Sequence, residues 1–430
     1  MFLNYTWLPS DTPDRSEQCL EIYDTDGAYL ITHKGKKIYD GISSWWCKPL
    51  GHKHPIVLKA IYEQLKYFEH HIPANALNNV IEELSIRLVN IFTQMDKVIY
   101  ASDGSSAIEI AMKLSYEVRV LSMQPERSKF IALQNGYHGE TVFALSVCGI
   151  EHYRTKYRSL LQNNYFIEHI PYVNGYADPK WHECDFNQEY WNAFFIKYAP
   201  QATALIIEPI VQGAGGLKII SLDFMIKLIK LAKQYGLHII SDEIMVGLGR
   251  LGYYSVSKEL LNFEPDLVCF AKNLTAGSIP MSAVVINRSI SNVFRRYNQS
   301  FHHSHTHSCN ALAASVAVSY LKWIDSTNVL AEVKVAENTL KKLMDNLNER
   351  FLFIKNPRVI GAIAACELDL PSQIIEQIFK ISIHNGIYLR PIGNTLYIMP
   401  PIYNILTDIK IINIKLYDVL KQIAFMLTQK

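Results

Sequence analysis

Short hydrophobic runs alternate with longer amphipathic stretches through the middle of this sequence. The run at 97–101 predicts a strand, and the hydrophobic spacing after it predicts a helix over about 105–121. A second helical pattern, over 223–235, ends before Gly236, and glycine commonly terminates helices. Four more runs predict buried strands, at residues 130–133, 204–207, 238–241 and 267–270. This alternation predicts an α/β fold with right-handed crossovers and a mostly parallel sheet that is covered on both faces.

The pattern changes after about residue 325. A polar amphipathic stretch over 328–350 predicts a helix, and a final helix is predicted over about 407–427. Short strands are predicted between them, near residues 359–367, 387–390 and 395–399. We therefore expect a large domain over 46–325 and a smaller α+β domain over 326–430. The N-terminal segment, residues 1–45, is expected to pack with the smaller domain.

Composition narrows the class of protein. The 430 residues are 49% hydrophobic and 19% charged, which is typical of a globular chain, and the net charge of +2 gives no field for holding nucleic acid. No hydrophobic run approaches the about 20 residues of a membrane-spanning helix. The seven cysteines form no Cys-x-x-Cys pair, and the first residues lack the basic flank of a signal peptide. We expect a cytoplasmic enzyme that acts on small-molecule substrates, with no nucleic acid or membrane partner.

Two charged residues follow neighbouring strands of the predicted sheet. Asp242 ends the strand at 238–241 and Lys272 follows the strand at 267–270. Taken singly, the carboxylate is more often a solvated or helix-capping group, and the lysine a strand-end residue whose ammonium reaches water. Together they match pyridoxal phosphate chemistry. A lysine of lowered pKa attacks the cofactor aldehyde, while a carboxylate keeps the pyridine nitrogen protonated.

Two loops complete this pattern. Gly104 and Ser105 lie where a strand joins a helix, and free amides at a helix N-terminus suit a phosphate. By itself the segment is an ordinary N-cap. Tyr137 stands between glycines after another strand, where its ring is either a structural core residue or stacks on a cofactor. The four signals in this order favour a cofactor site over four unrelated structural roles.

With these residues the sequence resembles the class-III aminotransferases, which have fold type I and use pyridoxal phosphate. The resemblance covers nearly the whole chain. The class motifs are Ile207-Glu-Pro with Gly213-Ala-Gly-Gly, Asp242-Glu-Ile with Gly249-Arg250-Leu-Gly, and Lys272. Within the class it is most similar to adenosylmethionine–8-amino-7-oxononanoate aminotransferases. That similarity is carried by Asp40-Gly-Ile-Ser-Ser-Trp45-Trp46, Gly136-Tyr137-His-Gly-Glu-Thr, Glu208-Pro-Ile-Val-Gln-Gly-Ala-Gly-Gly216, and Arg390-Pro with Tyr397-Ile-Met-Pro-Pro401.

The resemblance implies a role for each matching residue. Lys272 is the Schiff-base lysine, Asp242 pairs with the pyridinium nitrogen, and Tyr137 covers the ring and lines the substrate channel. Gly104 and Ser105 bind the phosphate, joined across a homodimer interface by Thr306 of the second subunit. For the substrate, Trp45 is expected to line the site, Arg390 to bind the oxononanoate carboxylate with its planar fork of donors, and Arg250 to lie nearby. Trp46 is expected in the core.

Three segments depart from the family pattern. Ser10 stands where the family has an aromatic hydroxyl against the substrate, a ring that Tyr5 or Tyr23 could supply instead. The family's glycine pair is replaced around Glu69-His-His71. Ser304 and His305 stand where Gly-Pro is usual, and we expect them beside the substrate and the cofactor respectively. Four histidines lie at 302, 303, 305 and 307, but the usual ligand spacing is missing, so local packing is favoured over a metal site.

The expected activity is transamination of 8-amino-7-oxononanoate to 7,8-diaminononanoate, with S-adenosylmethionine as donor. One alternative is another class-III enzyme acting on ω-amino acids or diamines, or the same reaction with lysine as donor. A protein of this fold that binds without catalysis is a further alternative, against which Lys272 and Asp242 argue.

Overall fold

The structure is a computed structural model that describes residues 5–13 and 19–429. The expectation of no signal peptide, and part of the predicted segment 1–45, fall on residues outside these ranges. No helix in the described ranges is long and apolar enough to cross a membrane.

The strands, in chain order, are β1 (Ile22–Asp26), β2 (Tyr29–Thr32), β3 (Lys37–Asp40), β4 (Met95–Ala101), β5 (Lys129–Leu133), β6 (Tyr165–Ile167), β7 (Tyr172–Val173), β8 (Ala202–Ile207), β9 (Val211–Gln212), β10 (Lys218–Ile220), β11 (His238–Asp242), β12 (Leu267–Phe270), β13 (Ser282–Asn287), β14 (Ile354–Ile360), β15 (Ile363–Leu368), β16 (Ile387–Tyr388) and β17 (Thr395–Ile398).

The α-helices are α1 (Ser43–Trp46), α2 (Pro55–Leu65), α3 (Asn79–Val89), α4 (Gly104–Leu121), α5 (Val142–Leu145), α6 (Glu151–Arg154), α7 (Gln188–Tyr198), α8 (Leu222–Gln234), α9 (Val256–Glu259), α10 (Arg288–Tyr297), α11 (Ala311–Asp325), α12 (Val329–Arg350), α13 (Ser372–Ile375), α14 (Ile378–His384) and α15 (Ile405–Thr428).

The largest sheet of the described residues has seven strands in the order β4-β13-β12-β11-β8-β5-β6. The strands from β12 to β6 pair in parallel, whereas β13 is antiparallel to both of its neighbours. Every residue of β8, β12 and β13 is buried, because helices cover both faces. Alternate strand residues pack against α4 on one face and against α8 on the other. The predicted fold class, a mostly parallel α/β sheet, is confirmed.

Two smaller sheets are built from strands near the beginning and the end of the described chain. β1, β2 and β3 form a meander that β16 extends by pairing in parallel with β3. β14, β15 and β17 form an antiparallel sheet against which α12 packs. Residues from α3, α11, α12 and α15 share one hydrophobic core with β13 and β15, so these parts are packed together without a gap.

The parallel arrangement places several loops at one edge of the large sheet. β4, β5, β8, β11 and β12 all run in the same direction, so their carboxyl ends meet there. Open α/β sheets bind ligands at this edge. The predicted site residues Asp242 and Lys272, and the loops that hold Gly104 and Tyr137, follow these strands.

Candidate active site

A cavity of about 180 Å³ lies at the carboxyl edge of the sheet. It brings together five of the residues that the sequence predicted: Gly104, Ser105, Tyr137, Asp242 and Lys272. Its walls also include Trp46, Asp103, His138, Gly139, Glu208, Ala214, Ile244, Met245 and Ala271.

Lys272 presents its amine to this cavity. Burial lowers the pKa of the Lys272 amine, and the negative charges of Asp242 and Glu208 oppose that shift. Its Nζ lies 5.3 Å from the centroid of the Trp46 ring. A lysine with a lowered pKa holds more of its amine in the neutral, nucleophilic form, which is the form that attacks an aldehyde.

Asp242 is held by two contacts at the end of β11. Its Oδ1 accepts a hydrogen bond from the amide of Ile244 at 3.2 Å, and its Oδ2 lies 2.8 Å from Nδ1 of the buried His138. Because a carboxylate oxygen can only accept, we assign a proton to Nδ1 of His138, which donates to Asp242; its Nε2 has no hydrogen-bond partner in the described residues. His138 lies within the motif at residues 136–141, but nothing in the sequence alone indicates a role for it. Its pairing with Asp242 spans 104 residues of chain.

Glu208 ties together two loops of the cavity. Its carboxylate accepts hydrogen bonds from the amides of Tyr137 at 2.8 Å and Gly213 at 2.9 Å. Burial raises the pKa of Glu208 to about 7, and the charge of Asp242 adds to the rise. Glu208 also lies in a sequence motif, and this bridging role appears only in the folded structure.

The N-terminus of α4 forms one end of the cavity. The Asp103 side chain caps the helix through the amide of Ser106 at 3.0 Å, while the amides of Gly104 and Ser105 precede the first intrahelical hydrogen bond. Gly139 crosses above this turn with a φ of +127°, and a Cβ there would lie 2.3 Å from Ser105 Oγ. Only glycine allows this approach, which leaves an open, positively polarised end for an anion.

Tyr137 lines the cavity, and Tyr153 packs against its ring. The Tyr137 hydroxyl donates to Glu140 Oε1 at 2.9 Å, and its ring lies 5.4 Å from that of Tyr153. Burial raises the pKa of Tyr137, and the nearby Glu140 charge adds to the rise, so the phenol stays protonated at neutral pH.

Trp45 and Arg390 form a pair outside the cavity. The Arg390 guanidinium carbon lies 4.5 Å from the centroid of the Trp45 ring, which is half exposed. Trp46 is buried, as predicted for a core residue, and its Nε1 donates to the Tyr397 hydroxyl at 3.1 Å. The same ring faces Lys272, so Trp46 belongs to both the core and the cavity wall.

The two tryptophans lie in α1, a single turn whose backbone is left-handed and not a regular right-handed helix. Ser43, Ser44, Trp45 and Trp46 have φ values of 49°, 45°, 67° and 74°. Left-handed helical backbone costs non-glycine residues roughly 1–2 kcal/mol each. Such conformations persist only where surrounding contacts impose them, and they concentrate at functional sites.

Several predicted residues lie away from the cavity walls. Arg250 is fully buried and donates from Nη1 to the carbonyl of Pro400 at 2.5 Å, while its Nε and Nη2 lack partners in the described residues. Ser10 is exposed, as are Tyr5 and Tyr23, and none of the three lines the cavity.

The segment with the clustered histidines also lies elsewhere on this chain. Ser304 and Thr306 are exposed, and the carbonyl of Thr306 is 2.9 Å from His70 Nε2. His305 Nε2 lies 2.9 Å from His303 Nε2, and Lys113 Nζ lies 3.2 Å from the other ring nitrogen of His303. No group of three or more His, Cys, Asp or Glu side chains in residues 5–13 and 19–429 could hold a metal ion.

Comparison with known proteins places this site in a family. The family model for aminotransferase class-III matches residues 12–419. A relative from Helicobacter pylori, named adenosylmethionine-8-amino-7-oxononanoate aminotransferase, is 33% identical over 93% of this chain and 92% of its own length. A relative of the same name from Synechococcus elongatus is 30% identical over 97% of this chain and 99% of its own.

Solved structures of aminotransferases have the same fold as this chain. The adenosylmethionine-8-amino-7-oxononanoate aminotransferase of Methanocaldococcus jannaschii superposes with a TM-score of 0.87 at 28% identity, covering 97% of both chains. An amine transaminase from an uncultivated Pseudomonas species, in its PLP-bound form, gives a TM-score of 0.90 at 25% identity over 97% of this chain and 99% of that one. The chain belongs to the class-III aminotransferase family. The predicted class of enzyme and its cofactor, pyridoxal phosphate, are confirmed.

The described residues fit this cofactor. The open N-terminus of α4 suits its phosphate, the carboxylate of Asp242 suits its ring nitrogen, and the amine of Lys272 suits its aldehyde. All three groups line one cavity, and Gly139 leaves the phosphate end open.

Proposed function

We propose that this enzyme transfers an amino group to 8-amino-7-oxononanoate and forms 7,8-diaminononanoate, a step of biotin biosynthesis, with S-adenosylmethionine as the donor. The observation that carries the proposal is the relationship to enzymes of that name over nearly the whole chain. The paired tryptophans and Arg390, which carry the sequence similarity to this group, lie together beside the cavity and support it.

Lys272 and Asp242 are the proposed catalytic pair. Pyridoxal phosphate, when bound, supplies an aldehyde for the amine and a ring that withdraws electrons from the reacting carbon. Lys272 would move the proton at that carbon, since its lowered pKa leaves more of the amine in the neutral form that can accept a proton and later return it. Asp242 would keep the ring nitrogen protonated, and His138 would hold the orientation of Asp242.

The remaining polar groups would bind and orient. The amides of Gly104 and Ser105, with the Ser105 hydroxyl, would hold the phosphate, and Tyr137 would cover the ring and limit access of water. Arg390 would bind the substrate carboxylate with its free edge while its face rests on Trp45. Arg250, Ser10 and Ser304 stay predicted substrate-side residues, although none of them lines the cavity of this chain.

We further propose a homodimer with active sites at the interface. Thr306, and with it His305, would complete the phosphate site of the partner, which agrees with the exposure of Thr306 on this chain. The proposed domains are 46–325 and 326–430, with the segment 1–45 packed on the latter; the pairing of β3 with β16 supports this last point. We place the enzyme in the cytoplasm.

A second candidate function is that of an amine transaminase. The observation that favours it is the TM-score of 0.90 with the Pseudomonas amine transaminase. The departure at Ser10 also leaves open lysine as the donor for the first reaction.

Purified enzyme distinguishes these functions. The proposal predicts that S-adenosylmethionine converts the bound cofactor to its aminated form and that 8-amino-7-oxononanoate restores it, each followed by visible absorbance. Lysine and a simple alkylamine should react much more slowly. The gene should also restore growth without biotin to a bacterium that lacks this step, and a Lys272→Ala variant should fail to do so. Rapid amination by the alkylamine with no turnover of the oxononanoate would favour the amine transaminase.

A further inference from the structure

Asp40 lies outside the cavity, but three groups of the neighbouring segment converge on its carboxylate. It is the last residue of β3 and is 1% exposed. Its Oδ2 accepts a hydrogen bond from Ser44 Oγ at 2.7 Å and lies 3.2 Å from His52 Nε2. Its Oδ1 lies 3.4 Å from the amide nitrogen of Ile42. The carboxylate therefore links the end of β3 to both sides of the left-handed turn at 43–46.

The turn depends on such contacts. Four successive non-glycine residues with positive φ are disfavoured by their own Cβ atoms, so the local sequence does not select this backbone. The turn is fixed at one side by Ser43 Oγ, which donates to the carbonyl of Met399 at 2.7 Å. The next residue of the turn, Ser44, donates from its Oγ to Asp40 at 2.7 Å, which is the shorter of the two side-chain contacts of Ser44 Oγ; the other is to His52 at 3.4 Å.

The turn directs two adjacent rings toward the two cations of the proposed mechanism. Trp46 lies 5.3 Å from Lys272 Nζ, and Trp45 lies 4.5 Å from the Arg390 guanidinium carbon. Arg390 follows β16, in which Tyr388 pairs opposite Asp40 itself. Asp40 therefore contacts both segments of this pair: it pairs with the strand that precedes Arg390, and it holds the turn that carries Trp45.

We infer that Asp40 is a positioning residue for substrate, which acts by keeping Trp45 against Arg390. With the face of the guanidinium on the ring, the N–H edge stays presented to the substrate carboxylate. Loss of the Asp40 contacts releases the turn, and Arg390 then samples orientations that do not bind. This inference rests on the proposed function for the role of Arg390 and adds a residue that determines selectivity for carboxylate substrates.

The test compares Asp40→Asn with the wild-type holoenzyme on two substrates, 8-amino-7-oxononanoate and its methyl ester, which lacks the negative charge. Asparagine keeps the size of the side chain and removes the charge. We expect the ratio of kcat/KM for acid over ester to fall about ten-fold, through a higher KM for the acid, the size expected for losing one hydrogen bond to a charged group. Values for the ester, and the visible absorbance of the bound cofactor, should stay unchanged. Asp26→Asn, an exposed residue of the same sheet, is the matched control.

Ser44→Ala provides a milder second variant, because it removes only the hydrogen bond to Asp40 and remains informative if Asp40→Asn fails to fold. It should lower the same ratio by a smaller factor. The double variant should be little worse than Asp40→Asn alone, since both changes weaken one shared contact. Equal losses on acid and ester, or an unchanged ratio in Ser44→Ala, would overturn the inference. A wild-type enzyme that does not discriminate acid from ester would instead contradict the proposed role of Arg390, and the inference with it.

Discussion

At the scale of single residues, the site depends on buried charges whose partners are fixed by the fold. Asp242 and His138 are both almost fully buried and pair at 2.8 Å, and Glu208 bridges two backbone amides a short distance away. A buried carboxylate is costly unless it is paired or hydrogen-bonded. A substitution that removes one of these charges but keeps the shape of the side chain should therefore affect catalysis more than folding.

Asp242→Asn is such a change. The amide keeps an oxygen for the Ile244 amide but cannot hold a proton on the ring nitrogen of the cofactor. We expect kcat to fall more than about a hundred-fold, which corresponds to a loss of several kcal/mol of transition-state stabilisation. The fold and much of the cofactor binding should be retained. Circular dichroism, visible absorbance and single-turnover rates measure the three quantities. Asp345→Asn, at an exposed ion pair with Lys341, is the control. A kcat near that of wild type would refute the role given to Asp242.

Arg390 makes a prediction about binding. Arg390→Ala should raise the KM for 8-amino-7-oxononanoate by a factor equivalent to about 1.5–3 kcal/mol, the range for hydrogen bonds to charged groups. Arg390→Lys should recover only part of this, because an ammonium cannot reproduce the planar fork. The exposed Arg296→Ala serves as the control for loss of a positive charge. Unchanged KM values in both Arg390 variants would mean that another group, with Arg250 the next to test, binds the carboxylate.

At the scale of elements, helix ends and turns bear on the site more than the strands do. The α4 N-terminus, the loop after β5 and the left-handed turn at 43–46 each present groups to the cavity or to Arg390. Away from the site, a side chain of α12 also binds a turn, the one that joins β14 to β15. Glu337 Oε2 on α12 accepts from the amide of Gly361 at 2.6 Å, and burial raises the pKa of Glu337 to about 7.

This contact predicts a pH-dependent stability. Because the pKa of Glu337 is higher in the folded protein than its ordinary value of 4.5, the protonated form favours folding. That contribution is complete below about pH 4.5 and is lost as the pH rises through about 7. Glu337→Gln keeps an acceptor without the charge, so it should be more stable than wild type by about 2 kcal/mol at pH 8 and by much less at pH 5. Urea midpoints at the two pH values measure this, with Glu349→Gln on the same helix as control. An equal difference at both pH values would contradict the prediction.

At the scale of the whole molecule, the sequence predicted the sheet well because its signal is local. The hydrophobic runs of β4, β5, β8, β11 and β12 are short and bounded, and the carboxyl-edge rule then brought Asp242 and Lys272 together. The antiparallel β13 was not anticipated, since strand direction depends on the neighbours and not on the run itself.

What the sequence could not predict depends on contacts between distant segments. The pairing of His138 with Asp242, and the bridge made by Glu208, arise only when separate strands lie side by side. The left-handed turn at 43–46 contradicts the preferences of its own four residues and follows from contacts with Asp40 and Met399. Thr306 was expected at a phosphate of a second subunit, which a single chain does not contain, so its role stays a prediction.

The most direct test of the account is to locate the lysine that bonds to the cofactor. Holoenzyme is reduced with borohydride, digested and mapped by mass spectrometry, with Lys272→Ala treated in parallel. We predict the added mass of the reduced cofactor on the peptide that contains Lys272, and neither added mass nor turnover in the variant. Lys48, a second lysine whose pKa burial lowers, provides the strictest comparison. Label on Lys48 or on any other lysine, or a Lys272→Ala variant that still turns over, would contradict the account.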